Sequence, residues 1–424
     1  MFSASTRPGA RANSRVFSFA GLGFLFGFCA AGQAPDRPVS LEEAVRIARD
    51  RAPEIAAARA RVLQAEGRKF AASVPADPEL QYGLGRGRPR DGGPSRKEST
   101  VELRQFLTSP LAVRSRLRSG EAEIEASLRD VDVAASEAVL QVKRIYYEAA
   151  ISGEEANALA EAATDARALQ DVMDRRVEVG EASEGDRLRT RVEALRADLE
   201  ARSALAQAEA AKAALGRFLL GSLGPRFILS TALDPTSIPD LGPDFLEQAV
   251  GRNPELRAAR SRLEAAGWSL SAEKAQRIPG LSLSSFWLTE LDRRASGVTL
   301  GLSIPLWNRN QGAIRVAQGE RAEAEADVLA VRTEVEIELE RAIRANRSAR
   351  ELAIAYRKEI LPAASEALSI VRFSLGEGEA NLLSWLEARR SYLEILRASY
   401  RAQLEAFLKR AELERIVGGI DVSL

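Results

Sequence analysis

The chain has 424 residues, with 60 Lys+Arg against 60 Asp+Glu, so its formal charge is zero. It lacks the net positive field that displaces counterions from nucleic-acid phosphates, and with no histidine it lacks the commonest general base and metal ligand. Its single cysteine, Cys29, lies near the N-terminus, so disulfide frameworks, zinc sites and thiol catalysis have no support.

Residues 1–34 read as an export signal. Arg7, Arg11 and Arg15 precede an apolar run from Val16 to Ala30, and small residues follow at Ala30–Ala34. The run is shorter than the roughly 20 residues a spanning helix needs. An uncleaved N-terminal anchor is the alternative, and Cys29 raises lipidation as another, against which Phe28 stands where Gly or Ala is wanted. No later stretch is long and apolar enough for a membrane helix, so membrane residence would require β-strands.

An internal repeat organises the rest. Pro53-Glu54-Ile55, with Ala57, Ala58, Arg59 and Arg61, is matched by Pro254-Glu255-Leu256, with Ala258, Ala259, Arg260 and Arg262, without a gap as far as Pro78 and Pro279. The first repeat is set at 38–224, a Pro-rich linker at 225–243, the second repeat at 244–418 and a tail at 419–424. Each repeat opens with a helix carrying apolar residues at helical spacing, such as Ile55, Val62 and Phe70. Two strand-like segments follow. Leu80, Tyr82 and Leu84 alternate with Gln81, Gly83 and Gly85; Val298, Leu300, Leu302 and Ile304 alternate with Thr299, Gly301 and Ser303.

Then comes a long helical arm in each repeat. No proline separates Pro110 from Pro225, and Ala, Leu, Glu and Arg dominate. Glycines at Gly180 and Gly185, and at Gly376 and Gly378, mark the turns. Each ascending arm would reach on the order of 100 Å at 1.5 Å per residue. Pro362 predicts a kink near the tip of the second arm. The acidic residues of the arms read as solvated faces, with near neighbours such as Glu334, Glu338 and Arg341. The short helices at 53–75 and 254–277 would stack on the return arms to complete the height.

No catalytic, cofactor or metal constellation accompanies these elements. Gly180 and Gly185 have phosphate-loop spacing, but Asp186-Arg187 follow where Lys and Ser/Thr are required. The strands are more informative, because an isolated hairpin with an apolar outer face is unstable in water. One apolar and one polar face suit a membrane barrel, and four strands fall short of the roughly eight that closure requires. The chain must therefore pool strands with copies of itself. Phe106, Trp287 and Trp307 at the segment ends suit headgroup-level positions, ordinary core packing being the alternative.

The order helix, strand pair and long hairpin, given twice, resembles the TolC family of outer-membrane efflux channels over about residues 38–417. The segment Leu302-Ser303-Ile304-Pro305-Leu306-Trp307-Asn308-Arg309-Asn310-Gln311-Gly312 is similar to its CzcC-like, heavy-metal efflux branch. Arg176, Gly180 and Ser183, and Arg372, Gly376 and Leu382, resemble the family's hairpin tips, with Glu379 departing from the small or hydroxyl residue expected. The resemblance implies a mainly α protein with a small β part: a homotrimer forming a 12-stranded β-barrel in outer-membrane lipid above an α-helical barrel in the periplasm. It also implies a Gram-negative source, an inner-membrane pump and a periplasmic adaptor docked at the tips. On that reading the chain is a passive conduit, not an enzyme, and the acids Glu181, Glu184, Asp186, Glu377 and Glu379 are candidates for a periplasmic gate, with solvated tip residues as the alternative. Its cargo is open, heavy-metal cations being favoured by the CzcC-like segment. An exported coiled-coil scaffold and a periplasmic adaptor are the competing readings; a scaffold has no use for the strands, and an adaptor carries one hairpin instead of two.

Overall fold

The computed structural model describes residues 37–224, 226–235, 245–291 and 293–418. The expected signal with Cys29, the tail 419–424, Pro225 and 236–243 of the linker, and residues 244 and 292 of the second repeat lie outside the described residues.

The first half runs β1 (Arg37–Val39), α1 (Leu41–Arg51), α2 (Pro53–Ser73), β2 (Glu79–Gly87), β3 (Arg96–Leu107), α3 (Pro110–Glu178), α4 (Glu184–Phe218) and β4 (Phe227–Leu229). The second runs α5 (Phe245–Arg252), α6 (Pro254–Ala275), β5 (Gly280–Thr289), β6 (Arg294–Ser303), α7 (Gln311–Ala355), α8 (Leu361–Glu377) and α9 (Leu382–Val417), with a π-helical turn at Tyr356–Ile360 between α7 and α8. Proline opens α2, α3 and α6, where its missing N–H costs nothing and its fixed φ suits the first turn. The 69 residues of α3 make a rod about 100 Å long.

Two shorter helices share that rod. Ala52 and Ile55 at the start of α2 pack on Ala138, whereas Ala194 and Ala197 of α4 pack on Ala163 and Ala166 nearer the tip. α2 and α4 thus lie end to end along α3. Close approach is what the alanines permit, and Gly120 takes it furthest: a Cβ there would stand 2.8 Å from Lys69 Cβ and 3.1 Å from its Cα. In the second half, Leu270 of α6 packs on Ile314 and Ala317 of α7, and Leu256 joins Leu339, Leu413 and Val417.

The largest core sits at mid-height, where Val39, Tyr146, Tyr147, Leu215, Leu219, Phe227, Ala353 and Phe407 meet. There β1 and β4 pair in parallel, Pro38 opposite Ile228, so the linker is structured where it follows α4. The buried Tyr146 hydroxyl donates to the Val39 carbonyl at 2.9 Å and accepts from Thr231 N at 3.3 Å, which fastens this small sheet to α3.

Three expectations need correction. The acids of the arms are not simply solvated: Glu338 accepts from Arg415 of α9 at 3.3 Å, Glu414 holds Lys143 of α3 at 2.5 Å, and Glu200 holds Arg397 at 2.9 Å. The break at Pro362 takes the form of the π-helical turn just before it, whose wider ring accommodates a proline that cannot donate to the ladder. And it sits at mid-height, with the 17-residue α8 between it and the tip.

Replacing Gly120 by Leu is expected to lower stability by about 2 kcal/mol, because overpacking against the Lys69 backbone outweighs a helix-propensity gain of about 1 kcal/mol. Denaturant titration followed by helical circular dichroism checks this, and an unchanged midpoint would refute the close contact.

Candidate functional site: an apolar sheet face and two joined hairpin tips

The strand pairs of the two halves form one antiparallel sheet in the order β2-β3-β5-β6. The central pairing runs from Ser99 opposite Thr289 to Leu107 opposite Leu281. Because side chains alternate, the register sorts the sheet into two faces. One carries Leu80, Tyr82, Leu84, Val101, Leu103, Leu107, Leu281, Leu283, Trp287, Val298, Leu300 and Leu302, among which Leu80, Leu84 and Val298 are at least 70% exposed. The other carries Gln81, Glu102, Arg104, Ser282, Ser284, Thr299 and all six strand glycines, with Phe286 and Leu288 its large apolar members beside Phe106. Arg104 is paired there with Glu102 at 2.8 Å. From Leu107 to the row of Val101 and Trp287 the apolar face extends about 20 Å along the strand, and Leu84 carries it one row further.

The three candidate interface aromatics separate. Trp287 stands on the apolar face, aligned through Val101 with Tyr82. Phe106 stands on the polar face opposite Ser282, so the strand alternation takes it away from any lipid-facing set. Trp307 lies beyond β6 and is 89% exposed. Among the described residues no helix is long and apolar enough to cross a membrane.

At the far end, the tips share one geometry, with the second offset by two residues from Gly376. Gly180 ends α3 with φ +81°, and the residue that does this for α8 is Gly378, also at φ +81°, rather than Gly376, which lies inside α8. Glu181 N donates to the Arg176 carbonyl at 2.7 Å, and Glu379 N to the Ser374 carbonyl at 2.9 Å, closing equivalent C-caps. The next helices are capped alike: Ser183 Oγ accepts from Asp186 N at 3.1 Å and Asn381 Oδ1 from Ser384 N at 2.8 Å. The signal was present as Gly180-Glu181-Ala182-Ser183 beside Gly378-Glu379-Ala380-Asn381. Glu379 is therefore the counterpart of Glu181, and the hydroxyl position is filled by Asn381.

The tips are bound to each other. Met173, Leu375, Leu382 and Trp385 form one buried cluster, so Leu382 is a core residue with little surface to offer a partner. Arg176 donates to the Leu375 and Gly376 carbonyls at 3.2 and 2.8 Å, and Arg372 pairs with Asp165 at 3.2 Å. Both arginines join the first hairpin to the second. Of the acids, Glu181, Glu184, Glu377 and Glu379 are exposed; Glu184 pairs with Arg187 at 2.6 Å and Asp186 with Arg189 at 3.2 Å.

Further from the tips, Arg389 of α9 is buried. It pairs with Glu193 of α4, donates to the Ala162 carbonyl of α3 at 3.2 Å and stacks over the Trp385 ring. Burial lowers its pKa, while Glu193, Glu200 and Asp165 raise it. One guanidinium thus ties three helices, a role that residue type and spacing alone did not reveal.

The profile of the family described as "Outer membrane efflux protein" matches residues 44–222 and 245–419. The chain belongs to that family. It is 25% identical over 376 residues to the cobalt-zinc-cadmium resistance protein CzcC of Cupriavidus metallidurans, covering 86% of this chain and 88% of CzcC. Its fold matches crystal structures of CusC (TM-score 0.75, 16% identity, 89% of this chain and 92% of CusC) and of the outer membrane protein VceC from Vibrio cholerae (TM-score 0.70, 19% identity, 89% and 96%). The TolC-like fold and the outer-membrane efflux channel read from the sequence both hold. The scaffold and adaptor alternatives fall away, and family membership identifies a transport channel in place of an enzyme class.

Removing one partner of a buried pair strands the other, so Glu193→Ala should destabilise the protein by about 3 kcal/mol, and Arg389→Met by clearly less. Thermal melts of the two variants test the order; equal losses would show that the ion pair is not the controlling contact.

Proposed function

We propose that this chain is one protomer of a homotrimeric efflux conduit, its sheet supplying four strands of a 12-stranded barrel in the outer membrane and its hairpins one third of a periplasmic tunnel. The observation that carries the reading is the exposed apolar face of a sheet whose outer strands, β2 and β6, each have an unpaired edge. In hydrocarbon every backbone N–H and C=O needs a partner, so only a closed barrel is viable. Strand directions alternate across the sheet, so β6 of one copy meets β2 of the next antiparallel and closure needs no new topology. The number three rests on the family resemblance.

The helical part supports the same assembly. Leu188, Val192, Leu195 and Leu199 form an exposed stripe on α4, and Ile370 and Phe373 are exposed on α8. Such stripes suit packing of one protomer's helices against the next. Energy for transport would come from an inner-membrane pump through a periplasmic adaptor meeting the tips. With Leu382 buried and Arg176 and Arg372 engaged internally, the surface offered to the adaptor would be Val179, Gly180, Ser183 and Leu383. Opening would be a shear of packed helices between two arrangements. The exposed acids Glu181, Glu377 and Glu379 would be placed to gather cations at the entrance. Similarity to CzcC supports divalent heavy-metal cations as cargo.

A membrane-fraction trimer that dissociates on heating, and discrete conductance in planar bilayers, are the expected outcomes; a soluble monomer would overturn the reading. Glu377→Ala with Glu379→Ala should change conductance or block by divalent cations, and unchanged currents would remove both from the entrance. Loss of the gene should sensitise growth to cobalt, zinc or cadmium, and unaltered growth on all three would remove the metal assignment.

A further inference from the structure

The apolar face does not stay apolar to its end. Beyond the row Tyr82–Val101–Trp287–Ser296 come Leu84, Ser99, Thr289 and Arg294 on the same face, and beyond these Arg86 directly opposite Lys97. All three basic residues are exposed, and none makes an ion pair among the described residues. No Asp or Glu in any of the four strands shares this face: Glu98 and Glu102 belong to the opposite one. Two like charges directly across a strand pair repel, so an anion seated between Arg86 and Lys97 would relieve their repulsion. These residues flank the connections between β2 and β3 and between β5 and β6, at the end of the sheet remote from the helices, since α2 and α3, and α6 and α7, join the strands at the other end.

We propose that Arg86, Lys97 and Arg294 form a phosphate-binding rim that grips phosphorylated lipid of the outer leaflet. The inference rests on the reading of this sheet as part of a membrane barrel. Along the strand, the aromatic row at Tyr82 and Trp287 falls where headgroups begin. Arg86 and Lys97 stand four residues further on, about 13 Å along the strand. That is the order in which a lipid presents acyl chain, glycerol or sugar, and phosphate. Arginine binds phosphate with two parallel hydrogen bonds and lysine as a point charge. The side chains leave the face where a bound lipid lies, so they reach its headgroup without turning toward the pore. Arg88 and Arg90, by contrast, lie in the connecting segment beyond β2 and belong to no strand face. Each cation beside an anionic surface contributes about fivefold in affinity, so three together are worth on the order of a hundredfold before screening.

The test uses the full-length protein purified in detergent, titrated with lipopolysaccharide and with the same lipopolysaccharide after phosphatase treatment, and bound lipid counted by native mass spectrometry. The natural sequence is expected to prefer the phosphorylated form by at least about tenfold. Arg86→Gln, Lys97→Gln and Arg294→Gln together should reduce that preference to within about twofold, while Arg88→Gln with Arg90→Gln should leave it. No preference in the natural sequence, an unchanged preference in the triple variant, or equal loss in the Arg88/Arg90 variant would each overturn the rim. Planar-bilayer recordings separate the two levels: normal conductance without phosphate preference rejects the rim alone, whereas failure to insert rejects the barrel reading as well.

Discussion

Hydrocarbon offers no hydrogen bonds, and that single fact governs this molecule. A sheet with one face of leucine, valine and aromatic residues must lie in lipid to be stable there, yet in lipid neither edge of that sheet can stay open. The four strands are therefore an incomplete object by construction. On the proposed reading the rest follows from supplying what is missing: the edges call for further copies, the copies would have to be held side by side, and the exposed helical stripes below the sheet are suited to that lateral contact.

Below the sheet the problem is different. Helices about 100 Å long have little volume in which to build a core, and the hairpins solve this with alanine and with ion pairs. Alanine pairs such as Ala163 and Ala166 against Ala194 and Ala197 bring backbones close at low side-chain entropy cost. Larger residues are concentrated at two levels, the mid-height core around Tyr146 and the tip cluster around Trp385. Between them, Arg389 and Arg397 reach across to α4. The tip is thus a packed unit, and any opening of the tunnel would have to move both hairpin ends together or separate Arg176 and Arg372 from their partners.

Much of this could be read from the residues because it repeats. The matched prolines, the period-two strands and the equal arms each specify local structure, and local structure was sufficient to find the family. What could not be read was pairing. Alternation in β3 and β5 says that each is a strand, but not that Val101 meets Trp287, since register is a long-range property. β1 and β4, at three residues each, are too short to show any period. Arg389 is embedded in a sequence rich in arginine and glutamate, where a buried cation looks like its solvated neighbours until the facing helices are placed. Gly376 and Gly378 are equivalent by composition and differ in φ, so the two-residue offset of the second tip appears only in the backbone. Phe106 resembles Trp287 by residue type, but its parity along β3 puts it on the face of Arg104.

The π-helical turn at Tyr356–Ile360 gives the two ascending arms different phases. α3 keeps one rotational register from barrel to tip, whereas the second arm slips by a residue at mid-height. An α-helical residue turns the chain by about 100°, so everything in α8 is rotated by that amount relative to an unbroken continuation of α7. Arg372, which meets Asp165, and Leu375, in the tip cluster, both lie beyond that slip and carry its rotation. One extra residue at mid-height therefore sets the rotational phase of the helix that ends in the tip, a full 17 residues before that helix ends.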